Sequence, residues 1–179
     1  MGGDKKPSYE YFHSGHGKTV VAETTLTEDA VRRVLRTKLE DLADLAWAGT
    51  HGAIASGMQS VAFTPASAIA ALFAATGQDL GMVGTSSMCH GAARLVEDGL
   101  QVSLRLPGLE VATIGGGTTL PYARRWLELM GCAGAGHVYR FAQIVAAATL
   151  SLEISASAAM ATAGSAEFFR AHHERGGLR

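Results

Sequence analysis

Residues 138–163 read VYRFAQIVAAATLSLEISASAAMATA, and no other stretch constrains the fold as strongly. A run of this length is one helix of about seven turns. It is rich in Ala and Ser and has few polar breaks, so it must be covered on most of its sides. The part from Ile144 to Gly164 is apolar enough to raise the question of a membrane. Glu153 sits near its centre, and a carboxylate at the middle of a bilayer is costly. The expectation is therefore a buried helix of a soluble protein, with no membrane partner. Residues 61–76 (VAFTPASAIAALFAAT) form a second small-residue helix, stopped by Gly77, with Pro65 in its first turn or kinking it. Charged residues make up 17% of the chain, against ~25% in ordinary soluble domains. Part of the surface is thus expected to be covered by another subunit, most simply in a dimer.

The remaining elements follow from pattern. Lys18–Thr25 (KTVVAETT) has the β-branched content of a strand. Thr25 or Thr27 can cap a helix over 27–46, with Glu28 and Asp29 in its first turn. Val31, Val34, Leu35, Leu42 and Leu45 mark its apolar face. Residues 49–57 read as loop. Three strands are expected at 89–97, 101–106 and 110–114. Asp98-Gly99 would turn between the first two and Pro107-Gly108 between the last two. Pro121 opens a short helix ended by Gly131, and a last helix covers 166–174. The class is α+β: a mostly antiparallel sheet packed by long small-residue helices. One domain is expected over 1–179, with an arm at 1–17, a core at 18–164 and a C-terminal histidine segment at 165–179.

A net charge of -1 leaves no electrostatic footprint for nucleic acid. Cys89 and Cys132 make neither a metal spacing nor a disulfide framework, so no metal is expected, and they fit a reducing cytosol. Met1–Lys6 has no apolar run behind it of the kind a signal peptide needs, and a cytoplasmic location is expected.

Few side chains carry chemistry. Lys5 lies in the charged arm Asp4-Lys5-Lys6-Pro7, where most lysines are simply solvated. Its functional reading is a cation that stabilises negative charge developing on a thioester or aldehyde oxygen. Asp79 follows Gly77-Gln78 at a helix end, a common place for a turn aspartate. His172 belongs to Arg170-Ala171-His172-His173-Glu174 near the C-terminus, where an exposed histidine is ordinary. A histidine there can also protonate a leaving thiolate, because it titrates near neutrality. Gly115-Gly116-Gly117-Thr118 lets backbone approach a ligand closely. It is not the G-x-G-x-x-G fingerprint, and no Rossmann unit surrounds it. A lysine, an acid and a histidine are together the parts needed to polarise a carbonyl, hold a charge network and move a proton.

In this order and spacing, the motifs Asp4-Lys5-Lys6-Pro7, Gly77-Gln78-Asp79, Thr113-Ile114-Gly115-Gly116-Gly117-Thr118 and the late His172 resemble the C-terminal half of the catalytic domain of hydroxymethylglutaryl-CoA reductase. The resemblance covers nearly the whole chain and implies the fold of that enzyme's large domain. It implies Lys5 as the catalytic lysine, with Asp4 and Lys6 contacting substrate beside it. Asp79 becomes the aspartate that tunes its protonation, and His172 the proton donor. His173 is a possible shift, since the spacing after the long helix is longer here. Gly115, Gly116, Gly117 and Thr118 would lie beside the nicotinamide of NADPH and the substrate. Gly84-Thr85-Ser86-Ser87 is similar to the family's Gly-Ser-Ser turn. Thr64 and Ser67 stand where the family carries a substrate-facing histidine and asparagine. The family's Glu-Asn-Val-Ile-Gly segment, which holds its catalytic glutamate, has no match in the sequence, and neither has its Asp-Ala-Met-Gly-Met-Asn dinucleotide motif. A truncated form of that catalytic domain is therefore expected.

Two functions follow from the resemblance. One is half of a split NADPH-dependent reductase, completed by a partner chain that carries the missing parts. The other is a repurposed non-redox biosynthetic enzyme (a cyclase, lyase or isomerase) that has lost cofactor binding. The retained Lys5, Asp79 and His172 argue against a merely regulatory module. These three residues are expected around one cleft, with Lys5 and Asp79 at salt-bridge distance.

Overall fold

The computed structural model describes residues 5–8, 10, 13 and 16–175, apart from the side chains of residues 163, 165, 169, 172 and 175. Asp4 and the side chain of His172 thus lie outside the described residues.

A three-stranded antiparallel sheet forms the centre, in the order β1-β3-β2. Its strands are β1 (Lys18–Leu26), β2 (His90–Val96) and β3 (Gly99–Leu109). Leu100, Val102, Leu104 and Leu106 alternate along β3 and point into the core, as the period of two requires. The β2–β3 hairpin forms as expected, with Val96 paired to Gly99 around Glu97-Asp98. The helices are α1 (Leu39–Ala55), α2 (Pro65–Thr76), α3 (Pro121–Leu129), α4 (Val138–Ala163) and α5 (Ser165–Arg175). The architecture is α+β, as the sequence pattern required. By length and composition α4 could cross a membrane. Here it packs on β1, α1 and α2 and buries Phe141, Val145, Ala146 and Thr149 completely.

The helix expected over 27–46 is broken. Thr27 caps a short helical turn over Glu28–Ala30, its hydroxyl accepting the Ala30 N–H at 3.3 Å. A widened π-type turn over Val31–Leu35 follows and ends at Arg36, which is left-handed at φ 58°. Thr162 at the end of α4 donates its hydroxyl to the Ala158 carbonyl at 2.8 Å, and the same oxygen lies 3.3 Å from the Arg36 carbonyl, so the break sits against a distant part of the chain. The helix then restarts at Leu39 and runs to Ala55, through the stretch expected to be loop. Two glycines weaken a helix here, but Gly49 leaves room for the Phe63 ring, which lies 2.9 Å from where a Cβ would stand.

Two strand expectations are also corrected. Pro107-Gly108 is not a turn but a bulge inside β3, opposite Thr19 of β1. A central strand accepts proline only at such a bulge, and Thr19 Oγ1 donates to the Pro107 carbonyl at 2.8 Å. Residues 110–114 are not a strand, because side chains take their hydrogen bonds. The Glu110 N–H donates to Ser86 Oγ at 3.0 Å, and the Ala112 N–H to Gln78 Oε1 at 2.8 Å. The second small-residue helix starts at Pro65 rather than 61, with proline in its first turn.

Glu153, alone among the small residues of its part of α4, ties α4 to α2. Its carboxylate accepts the Phe63 and Thr64 N–H groups, both at 2.8 Å, and the Thr64 hydroxyl at 2.6 Å. The orphan donors at the start of α2 are thus satisfied by a negative charge where the helix dipole favours one. Charge-assisted hydrogen bonds contribute ~1.5–3 kcal/mol. Glu153→Ala is expected to lower the unfolding free energy by about 3 kcal/mol, read from urea denaturation, and Glu153→Gln by less. A midpoint equal to wild type in the alanine variant would show the bridge to be dispensable.

Candidate active site

The Gly77-Gln78-Asp79 motif ends α2 and organises its surroundings through all three residues. Gly77 is left-handed at φ 68° and closes the helix, its N–H reaching the Phe73 carbonyl. A Cβ on Gly77 would stand 2.2 Å from the Gly117 carbonyl oxygen, and one on Gly117 would stand 2.3 Å from the Gly77 oxygen. The two glycine motifs, forty residues apart in sequence, touch backbone to backbone. Gln78 fixes the approach: its Nε2 donates to the Ala112 carbonyl at 3.0 Å while its Oε1 accepts the Ala112 N–H. This side-chain amide acts as a strand partner for the segment leading into Gly115.

Asp79 then caps a 3₁₀ turn over Leu80–Met82, with Oδ1 accepting the Gly81 N–H at 2.9 Å. Its other oxygen, Oδ2, lies 2.8 Å from Lys5 Nζ. The lysine side chain is 47% exposed and the aspartate 54%, so the pair is open to a ligand. The hydrogen bond from Lys5, then the one from Gly81, hold the Asp79 carboxyl below its usual 3.8. Lys5 is left-handed at φ 57°, an uncommon conformation for a residue with a Cβ. Its stem crosses Gly81, where a Cβ would meet Lys5 Cδ at 2.9 Å. Pro7 reaches the next turn, and its Cγ lies 3.4 Å from the Cβ position of Gly84. The arm therefore runs along residues 79–87. The Gly84-Thr85-Ser86-Ser87 turn is anchored below: the Thr85 hydroxyl donates to Glu110 Oε1 at 3.0 Å, and Thr85 and Ser86 are fully buried.

The other sequence-derived positions spread around this pair. Lys6 is exposed on the arm. Gly115 and Gly116 face open space, since nothing lies within 4 Å of a Cβ on either. Thr118 is buried, its hydroxyl bonded to the Gly115 carbonyl at 2.5 Å, so it shapes the glycine run from beneath. Thr64 and exposed Ser67 lie at the opposite end of α2 from Asp79, and twelve residues of helix span about 18 Å. The Thr64 hydroxyl is committed to Glu153. His172 and His173 belong to α5, which packs on α4. His173 is exposed. Gln78 and Glu153 carry more of the geometry than their place in the sequence indicates. Gln78 was visible as a motif member, and Glu153 as a lone charge in an apolar helix. Among the described residues, no cluster of His, Cys, Asp and Glu could hold a metal ion. Cys89 is buried, and burial pushes its thiol well above the ordinary range, so it is inert.

The profile of the hydroxymethylglutaryl-coenzyme A reductase family matches residues 1–176. Among characterised relatives, 3-hydroxy-3-methylglutaryl-coenzyme A reductase of Methanocaldococcus jannaschii is 36% identical over 174 residues, covering 97% of this chain and 42% of the relative. The enzyme of the same name from Aeropyrum pernix is 38% identical, covering 98% of this chain and 43% of the relative. A fungal relative, 3-hydroxy-3-methylglutaryl coenzyme A reductase mokG of Monascus pilosus, is 36% identical over 88% of this chain and 16% of its own length. The chain thus spans less than half the length of the relatives it matches. The Lys5–Asp79 pair and the apposed glycine motifs lie within this matched region, and the chain belongs to the hydroxymethylglutaryl-coenzyme A reductase family, a family of oxidoreductases.

Proposed function

We propose that this chain acts on a carbonyl or coenzyme A thioester and supplies the lysine–aspartate half of a reductase-type active site. The observation that carries the reading is the open 2.8 Å ion pair between Lys5 and Asp79. In this reading the Lys5 ammonium donates to the substrate oxygen where negative charge develops. Asp79, itself fixed by the Gly81 N–H, keeps that ammonium charged and aimed. Asp4 and Lys6 contact the substrate beside it, and His172 (or His173) on α5 gives a proton to the departing thiolate. The remaining catalytic groups come from outside residues 1–179, as they would from a second polypeptide in a split reductase.

NADPH is the cofactor implied by family membership. The open faces of Gly115 and Gly116 fit a flat ring laid on backbone, so Gly115–Thr118 would hold the nicotinamide end. When bound, NADPH supplies a hydride. Residues 115–120 contain no cation of their own for the pyrophosphate. The chain alone is therefore expected to bind NADPH weakly or not at all by calorimetry or fluorescence. Micromolar affinity without a partner would restore a self-sufficient reductase as the better reading.

The alternative, a non-redox cyclase, lyase or isomerase, draws on one observation. At the family's substrate-facing positions the Thr64 hydroxyl is turned to Glu153, leaving Ser67 to meet a different substrate.

Either reading places the site in an assembly. Trp47, Ile54, Trp126 and Leu129 are 50–75% exposed, which is much apolar surface for a free monomer. Sedimentation at micromolar concentration is expected to give a species heavier than the 18.6 kDa chain. A single boundary at the monomer mass would remove the assembly from the proposal.

A further inference from the structure

Gln78 stands between two residues that each touch a different part of the site. Gly77, before it, lies backbone to backbone against Gly117, and Asp79, after it, meets Lys5 at 2.8 Å. Gln78 itself is half-buried, and both donors and the acceptor of its amide are in use. Nε2 carries two protons, and two carbonyls accept them, Thr76 at 3.1 Å and Ala112 at 3.0 Å. Oε1 accepts the Ala112 N–H at 2.8 Å. Only a primary amide offers two donors beside an acceptor on one flat group. A carboxylate here would set negative oxygen against two carbonyls, and asparagine is one methylene too short.

These bonds fix a path more than they stabilise a fold. Ala112 is exposed, so water can replace Gln78 on its N–H and carbonyl. The next residue, Thr113, is tied to the other side. Its hydroxyl donates to the Gly134 carbonyl at 2.7 Å, and its own carbonyl accepts the Gly134 N–H at 3.1 Å. Beyond it Gly115 and Gly116 are exposed, with open space around them. They have no side chains to anchor them. Their place is set by the ties on either side: Ala112 and Thr113 before, Gly117 and buried Thr118 after.

The consequence for chemistry rests on the reductase function proposed above. There a hydride passes from a nicotinamide on the glycine run to the carbonyl carbon. The C=O electron pair moves onto the oxygen at Lys5, and NADPH becomes NADP⁺. Such a step needs its reacting atoms about 3–3.5 Å apart. We propose that Gln78 is a positioning residue: through Ala112 it sets the glycine run at the distance from the Lys5–Asp79 pair that hydride transfer requires. Asp79 has its own tie to the Gly81 N–H, so the ion pair survives loss of the Gln78 amide.

In the complete active assembly, Gln78→Ala should lower kcat by about 10- to 100-fold, the scale of a 1 Å misplacement. KM for the thioester should stay as in wild type, because the groups that hold it are untouched. Deuterium at the transferred position of NADPH should slow the variant more than wild type, since hydride transfer becomes the slow step. Gln78→Glu adds a second readout. The two carbonyls oppose its ionised form and raise its pKa above the usual ~4.3. Protonated, the introduced carboxyl again gives a proton to a carbonyl and accepts the Ala112 N–H. Its turnover relative to wild type should therefore rise from neutrality toward mild acid, while the ratio for Gln78→Ala stays flat. In the full chain alone, Gln78→Ala should shift the amide resonances of Ala112 and Gly115–Gly117 and leave that of Gly81 in place. Wild-type kcat in Gln78→Ala, glycine resonances that stay put, or an equal pH response of the two variants overturns the proposal and leaves the reductase reading standing. So does a kcat loss with an unchanged isotope effect and a matching loss of folded protein, which would make Gln78 structural alone. A wild-type assembly that does not oxidise NADPH overturns both.

Discussion

Lys5→Ala and Asp79→Asn are each expected to lower turnover of a coenzyme A thioester by at least ~100-fold, the scale of removing an oxyanion stabiliser or its organiser. The assay uses the complete active assembly. The two losses should not multiply, because both variants break one 2.8 Å contact. The pH profile gives the sign independently. Lys5 holds the Asp79 carboxyl below its usual 3.8, so the pair's contribution is present above that value and is lost as the pH falls through the lowered one. Wild-type activity should therefore survive mild acid further than a normal carboxylate would allow, and Asp79→Asn should flatten that acid limb. His172→Gln should cost as much as Lys5→Ala if a thiolate leaves, and less if none does. Unchanged rates in both the Lys5 and Asp79 variants would make the pair a relic and move the chemistry elsewhere on the surface.

Gly77→Ala is expected to be a strongly damaging single-methyl change, costing about 3 kcal/mol or more. An unstrained Gly→Ala change stabilises by ~0.4–1 kcal/mol through the unfolded state. At Gly77 the sign reverses for two reasons. The residue is left-handed at φ 68°, which is unfavourable once a Cβ is present. That Cβ would also stand 2.2 Å from the Gly117 carbonyl, which is backbone and cannot swing aside. Relief requires the glycine run to move off the end of α2, so whatever protein remains folded should also have a displaced site. Gly52→Ala, in open space on α1, is the control and should match or exceed wild-type stability. Urea midpoints that rank the two variants in the opposite order would show the backbone contact to be absent in solution.

Sequence periodicity sufficed where local chemistry and burial agreed. The 26 residues of α4, the strand β1 and the β2–β3 hairpin all follow from residue pattern and turn chemistry, since each buries one continuous face. The same pattern misled where a distant group supplied the hydrogen bonds. Residues 110–114 have strand composition, yet Gln78 and Ser86 take the N–H groups that a strand would give to a neighbour. The helix expected over 27–46 breaks at left-handed Arg36, whose carbonyl lies against Thr162, more than a hundred residues later, a contact the local pattern does not carry. The motifs themselves, Asp4-Lys5-Lys6-Pro7, Gly77-Gln78-Asp79 and Gly115-Gly116-Gly117, were readable as chemistry and as family. Tertiary structure alone decided which of them meet: Gly77 against Gly117, and Lys5 on Asp79. Contacts of this kind depend on where backbones cross and which side chains fill the space between them. A one-dimensional pattern carries propensity and burial, but it does not carry the distance between residues far apart along it.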